Sequence, residues 1–351
     1  MEHLIRISQR TLSLVAAAAC VAATAAACTT SGGTAKPTTS PSTISATAPA
    51  PAVSKSAALA LIRHYTLVNN KANTNANSRL LDTVEDGPLY EMSLGEYKQG
   101  SGTPAKDRTA YKPWSYDTST AHLYIPRFTA GAPRWFAAAL TVTGDKTLVM
   151  VVFEQQPTGQ WEMVQATDLD SAVPPRVALD HDGYATAVPV DNTAAATADA
   201  DHLRQAVIDD FATGGKQAGA RYLASSSASR RQIAARTRET AVGKHATVDF
   251  TGLQTELAST AYGLRTTSGG TLVLFAHSHV ETETADLGWE IDPGTASRAW
   301  LGIAPRQAIN TTFLCTDAAL APASGRATLL GYRCQMTDVQ GPTSAGFPNG
   351  V

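Results

Sequence analysis

The spacing of hydrophobic positions along the chain changes several times, and each change predicts a different element. Residues Thr11 to Ala27 are almost wholly apolar and follow Arg6 and Arg10, and polarity returns abruptly at Thr29. From about Ser56, the residues Ala58, Leu61, Ile62, Tyr65 and Val68 recur at helical spacing and predict one amphipathic helix. A short helix follows around Arg79 to Val84, stopped by Asp86-Gly87-Pro88, with a further helical piece over Leu89 to Tyr97. The pattern then becomes that of strands at His122 to Arg127, Trp135 to Val142, Thr147 to Glu154 and Trp161 to Thr167.

Beyond Pro174-Pro175 and Asp182-Gly183 the same order begins again. Leu203, Ala206, Val207 and Phe211 form a helical stripe ended by Gly214-Gly215, and another helix is predicted over Ser229 to Glu239. Strands are predicted at 245–251, 259–266, 270–283, 298–303, 309–316 and 327–337. Leu140 to Val151 aligns without gaps on Leu264 to Phe275, each reading as strand, polar turn and apolar strand. Helices first and antiparallel strands afterwards predict an α+β fold with the helices on one face of a sheet. The expected organisation is two such units, 54–168 and 197–340, joined by a linker at 169–196 and followed by a flexible tail at 341–351. The order resembles the NTF2-like (cystatin-like) cone-shaped folds, which implies tandem units whose curved sheets can enclose a pocket.

The N-terminus has the order of a secretory signal, a short positive region and then an alanine-rich apolar stretch too short and weak for a good spanning helix. Ala25-Ala26-Ala27-Cys28 resembles the lipobox of bacterial lipoproteins. That resemblance implies removal of residues 1–27 and attachment of a diacylglyceryl group, with its palmitate-type chains, to Cys28. Alanine stands where that motif usually has leucine, and Cys20, also preceded by three alanines, is a rival site. Cys28 is preferred because the apolar run continues past Cys20. Ordinary cleavage, releasing a free protein, is the alternative. Residues 28–53 are mainly Thr, Ser, Ala, Pro and Gly, which reads as a disordered tether. Its span is roughly 25–30 Å as a flexible coil. The expected location is the outer face of the cytoplasmic membrane.

A closer resemblance rests on Val68-Asn69-Asn70-Lys71-Ala72-Asn73, Glu85-Asp86-Gly87-Pro88-Leu89-Tyr90, Tyr124-Ile125-Pro126-Arg127 and Arg134-Trp135-Phe136. These segments look like a family of uncharacterised actinobacterial lipoproteins. The likeness implies location and doubling, and nothing chemical.

Charge and cysteine content narrow the chemistry. A net charge of −2 argues against a nucleic-acid partner. Apart from Cys20 and Cys28 the chain has Cys315 and Cys334, an even pair in two strand-like runs of an exported protein, which favours a disulfide. A two-cysteine metal site is the weaker reading, since no histidine neighbours either residue. There is no Gly-x-Ser-x-Gly, Ser-x-x-Lys, His-Glu-x-x-His or phosphate-loop motif, and no cofactor is expected.

Three constellations remain. His277, His279 and Glu281 alternate along one predicted strand, with Glu283 beyond them, so they share a face and offer transition-metal ligands. The plainer reading is a solvated sheet face. Tyr65, Tyr90, Trp114, Trp135 and Trp161 are candidates to line a sugar groove, although aromatics at such positions more often fill a core. Between Asp168 and Asp210 there are nine acids against Arg176 and Arg204, whereas Lys216 to Lys244 carries seven basic residues against Glu239. Arg221, Arg230, Arg231, Arg236 and Arg238 therefore form a candidate surface for an anionic wall polymer, lipid headgroups or another envelope protein. The plainer reading is a solvated face partly paired with the acidic stretch. Together these features predict a lipid-anchored, non-enzymatic binding module. A pocket enzyme acting on wall glycan or a small molecule, and a metal-binding lipoprotein, are the alternatives.

Overall fold

Ser54 starts the first helix, its hydroxyl accepting the Ala57 N–H at 3.2 Å. This is seen in a computed structural model that describes residues 49–107, 109–191, 198–240 and 245–342. The helix, α1 (Lys55–Thr74), buries Ala58, Ile62 and Tyr65 as the stripe predicts, with Leu61 and Val68 packed partly against the same core. After α2 (Ser78–Leu81) comes α3 (Gly87–Gly102). Asp86-Gly87-Pro88, expected to stop a helix, instead starts this one. Proline suits a first turn because its ring fixes φ and its missing N–H would have had no intrahelical partner.

The folded part begins earlier than expected. β1 (Ala50–Pro51) lies within the stretch read as tether, and the N–H of buried Ala52 donates to Pro126 O at 2.8 Å. The first strand group is β2 (His122–Tyr124), β3 (Arg127–Phe128), β4 (Trp135–Thr141), β5 (Leu148–Gln155) and β6 (Trp161–Leu169). β3 pairs with β1 apart from the others, because the predicted strand at 122–127 breaks at Ile125-Pro126. The second half runs α4 (Ala200–Ala212), α5 (Ala218–Tyr222), β7 (Leu223–Ala224), α6 (Ser227–Thr240), β8 (Ala246–Gly252), β9 (Ala261–Arg265) and β10 (Thr271–Ala285). It ends with α7 (Arg298–Leu301), β11 (Ala308–Ala321) and β12 (Ala327–Gln340). The strand expected at 298–303 is thus corrected to a single helical turn. Gly302, at φ 70°, ends that turn in a left-handed conformation.

Both strand groups belong to one sheet in the order β2-β4-β5-β6-β12-β11-β10-β8, with β7 beside β12 and β9 beside β10. Every pairing along that path is antiparallel, and the short β7–β12 contact beside it is parallel. The seam is narrow. Gly331 faces Leu169, and the Asp170 N–H donates to Leu330 O at 2.9 Å. A Cβ on Gly331 would lie 2.0 Å from Asp168 O, so the strands meet this closely only without a side chain.

Beyond the seam the two strand groups face one another. Ala137, Met150 and Val152 share a buried cluster with Leu264, Leu272 and Leu274. On the other face of the first group, Phe136, Ala138 and Val151 pack against Ala58, Ile62 and Tyr65 of α1. On the outer face of the second group, Val273, Phe275 and Ala319 pack against Leu203 and Val207 of α4. The layers therefore run helix, sheet, sheet, helix. Such central strands need apolar residues on both faces, which is why β4 and β5 read as continuous hydrophobic runs without alternation. The 169–191 part of the expected linker is tied down too, with bridges Val177 to Thr266 and Ala187 to Leu264 on one side and Ala185 to Pro126 on the other.

β11 and β12 also carry the disulfide between Cys315 and Cys334, which are direct register partners.

Candidate functional site

The first turns of α1 place apolar side chains on the sheet, and its later turns place polar ones on the same stripe. Tyr65, Asn69 and Asn73 stand four residues apart and so lie along one helix face. The Tyr65 hydroxyl donates to Glu85 Oε1 at 2.7 Å, and Asn69 Nδ2 donates to the same oxygen at 2.9 Å. Glu85 itself is 1 % exposed, and its Oε2 has no hydrogen-bond partner among the described residues. Burial pushes this carboxyl up to about 7, against the opposing pull of the Tyr65 and Asn69 hydrogen bonds and of the Ser93 hydroxyl, which lies near without making a hydrogen bond of good geometry. Burial, with Glu85 adding to it, also raises the Tyr65 phenol well above its usual range.

These groups line a cavity of about 350 Å³ between α1, α3 and the sheet. Asp168 at the end of β6 and Arg333 of β12 line it as well, so residues from both strand groups contribute. Its aromatic wall is Trp114 and Tyr116, edge to face at 4.8 Å, beside Tyr65. One amide fixes that wall. Asn70 Oδ1 accepts the Trp114 N–H at 3.1 Å and the Tyr111 hydroxyl at 2.7 Å, while Asn70 Nδ2 donates to Trp114 O at 2.7 Å. A second cavity, of about 640 Å³, shares Asn73, Glu96, Tyr97 and Tyr111 with the first. The arrangement offers neutral hydrogen-bonding groups, aromatic faces and a carboxyl poised near neutrality.

The second half has a cavity of its own, about 430 Å³, at a gap in the sheet edge. β9 pairs with β10 over 271–275 and β8 over 279–285, so residues 276–278 lack a strand partner on that side. Arg204 of α4 fills part of the gap, donating from Nε to Ala276 O and from Nη2 to Thr260 O, each at 3.0 Å. Beneath it, His277 Nδ1 lies 2.6 Å from Asp317 Oδ2, and both side chains are completely buried. Nearby, Asp209 accepts the Gln217 and Gly219 N–H groups at 2.8 and 2.9 Å, capping α5. The adjacent Asp210 is pushed up to about 7 by burial, with Asp209 adding to it.

The histidine stripe lies where the pattern placed it, but its face is not solvated. His277 and His279 stack at 5.5 Å on a covered face, and Phe211 lies 4.5 Å from the His279 ring. Burial, with neighbouring His277 adding to it, lowers His279 to about 3, which leaves a neutral ring. Glu281, farther along the strand, is only half-buried. Among the described residues, the groups whose ligand atoms approach one another are His277-Cys315-Cys334 and Asp180-His181-Asp182. Neither gathers His277, His279 and Glu281. In the first group both sulfurs are already in the disulfide. In the second, Arg127 bridges the acids, to Asp180 at 2.7 Å and to Asp182 at 2.5 Å.

The arginines are partly engaged within the chain. Arg231 pairs with Asp170 of the acidic stretch and lies over Tyr332, and Arg236 donates to Ala212 O at 3.1 Å. Arg221 stacks over the Tyr222 ring and Arg230 reaches Ser225, whereas Arg238 lies exposed on α6. Of the five aromatics singled out, Tyr65 and Trp114 line the first cavity. Trp135 and Trp161 pack into core clusters, and Tyr90 lies at neither place. Cys28 falls outside the described residues.

Glu85, Asp168, Arg333 and Asp317 escaped the sequence reading. Two signals were present. Asn69 interrupts an apolar helix stripe, and Asp317 interrupts the apolar run of β11. Burying either kind of group needs partners, so each pointed to polar company elsewhere in the fold.

A family described as a domain of unknown function (DUF8094) matches residues 49–341. The chain belongs to that family. It is 45% identical to an uncharacterised lipoprotein of Streptomyces coelicolor, over 97% of this chain and 98% of the relative. An uncharacterised lipoprotein of Streptomyces avermitilis is 31% identical over 83% of this chain and 87% of its own length. A further uncharacterised lipoprotein of Streptomyces coelicolor is 27% identical over 84% and 86%. No solved structure matches. Among the described residues no helix is long and apolar enough to cross a membrane.

Proposed function

We propose that this family member is a lipid-anchored protein of the cell envelope that binds a small ligand in the cavity around Glu85, without transforming it. The observation that carries the reading is Glu85 itself. It is a buried carboxyl with one oxygen held by two donors and the other without a partner, in a cavity lined by Tyr65, Trp114 and Tyr116. A group of this kind costs stability unless something satisfies it, and convergent polar groups among aromatic faces are the usual make-up of a ligand pocket.

In this reading Cys28 carries the lipid after removal of residues 1–27. The residues after it tether the folded part at the outer face of the cytoplasmic membrane. The relatives' description as lipoproteins supports the anchor, and two acyl chains suffice for stable attachment. We read 54–168 and 197–340 as tandem NTF2-like units. Their support is the order: three helices, an edge strand (β2 or β8), then three meandering strands (β4-β5-β6 or β10-β11-β12). The aligned hairpin of the sequence equates β4-β5 with β9-β10, one strand out of step with that order, and lends the doubling no support.

Native mass spectrometry of the full chain, purified in detergent from its own host, tests the binding reading. An added mass lost on denaturation, and absent from the Glu85→Gln and Trp114→Ala variants, is the expected result. A clean apo mass, together with no thermal shift across a small-molecule panel, counts against it.

One observation favours a second reading. A carboxyl near neutrality is suited to general acid–base work, and Asp168 lines the same cavity. Turnover of a bound compound, abolished by Glu85→Gln with binding retained, would establish the enzyme instead.

A further inference from the structure

We infer that the ligand of the Glu85 cavity is an uncharged oligosaccharide lying along the two adjoining cavities, a deduction that rests on the binding reading above. Charge excludes the main competitors. The lining holds Glu85, Glu96 and Asp168 against one base, Arg333, which lies 3.7 Å from Glu96 at the rim. An anion such as a phosphate or a nucleotide would meet more acid than base and find the one guanidinium already engaged. An acyl chain would leave Glu85 Oε2 buried without a hydrogen bond, which is costly.

What the lining favours is a ligand with many hydroxyls and apolar ring faces. Trp114, Tyr97 and Tyr111 are only half-buried, so their rings are open to the cavities. Asn70 holds the Trp114 backbone at both its N–H and its C=O, and the indole packs against Tyr65 and Tyr116, which orders it before anything arrives and lowers the cost of binding. Tyr97 donates to Asn73 Oδ1 at 2.5 Å, fixing a second ring at the junction of the two cavities. Below the neutral range Glu85 carries a proton and both donates and accepts, as a sugar hydroxyl also does. The two cavities share four lining residues, so their joint length suits several linked rings better than one.

Titration of the full chain in detergent with tetramers of N-acetylglucosamine, of β-1,4-linked glucose and of α-1,4-linked glucose, followed by tryptophan fluorescence, tests this. The expected result is saturable binding of at least one tetramer, stronger than its monosaccharide. Affinity should weaken about tenfold or more in Trp114→Ala, as expected for an aromatic anchor, and remain unchanged in Trp289→Ala, an exposed indole outside both cavities. Should Trp114→Ala lose its fold, Tyr97→Ala at the half-buried junction gives the same comparison, with circular dichroism as the control. Binding that survives Trp114→Ala or Tyr97→Ala in a folded protein overturns the siting. If no tetramer binds while native mass spectrometry finds another bound compound, the oligosaccharide assignment is wrong and the pocket stands. With neither signal, both readings fall.

Discussion

Tyr65 donates its hydroxyl hydrogen to Glu85 at 2.7 Å, and both side chains are buried. Their pairing locks the middle of α1 to the loop ahead of α3, so the cavity wall and its carboxyl form one hydrogen-bonded unit.

The first prediction concerns pH. Glu85 rises from its ordinary 4.5 to about 7, so between those values the folded chain holds a proton that the unfolded chain has lost. That stabilisation is present below about pH 4.5 and disappears as pH rises through about 7, amounting at most to about 3 kcal/mol. Asp210, raised from 3.8 to about 7, acts in the same direction. Urea denaturation at pH 5 and pH 8 should show the fall, and Glu85→Gln should reduce it by gaining stability chiefly at pH 8. An equal pH slope in wild type and variant would falsify the assignment.

Two neighbouring acids should behave oppositely. Asp209 caps the start of α5 through two backbone N–H groups, so Asp209→Ala strands buried donors and should cost about 2 kcal/mol. Asp210→Asn removes a charge that burial disfavours and should leave stability equal or higher at pH 8. Thermal melts of the two variants at that pH provide the comparison, and matching losses would rule out the capping role.

Reduction of the Cys315–Cys334 bond opens a loop 19 residues long. The paired Cys315→Ser and Cys334→Ser variant should lose about 3 kcal/mol on loop-closure grounds. Dithiothreitol should lower the melting temperature of the wild type but not of the variant. No response of the wild type would mean the cysteines are not bonded in solution.

Packing at two glycines sets the fourth test. A Cβ on Gly95 of α3 would approach Met336 O to 2.2 Å, and one on Gly331 would approach Asp168 O to 2.0 Å. Gly95→Ala and Gly331→Ala should each cost at least about 2 kcal/mol as strain forces α3 from β12, or β12 from β6. Gly144→Ala is a reference of another kind, since its cost comes from a left-handed turn with no close neighbour. If it proved as harmful as the other two, close approach would not be the reason for them.

The sequence by itself determined the α+β class, most of the helices and strands, the histidine stripe of β10 and the paired cysteines. These follow from local rules. A helix stripe at Ala58, Ile62 and Tyr65, or a residue alternation at His277 and His279, is written in the spacing of residues near one another in the chain. Tertiary structure alone decided that the two strand groups join at Gly331 and Leu169 and fold face to face, with helices outside. It also decided that the histidine face is covered, because burial depends on what α4 and α6 bring onto β10 and β12. The Glu85 cavity needed the same knowledge. Its members come from α1, the loop before α3, the end of β6 and β12, and Glu85 and Arg333 come to line one cavity only when the seam closes. No spacing in the chain encodes a contact between segments so far apart. It arises from the packing of complementary surfaces, and the polar Asn69 in an apolar stripe was its one local trace.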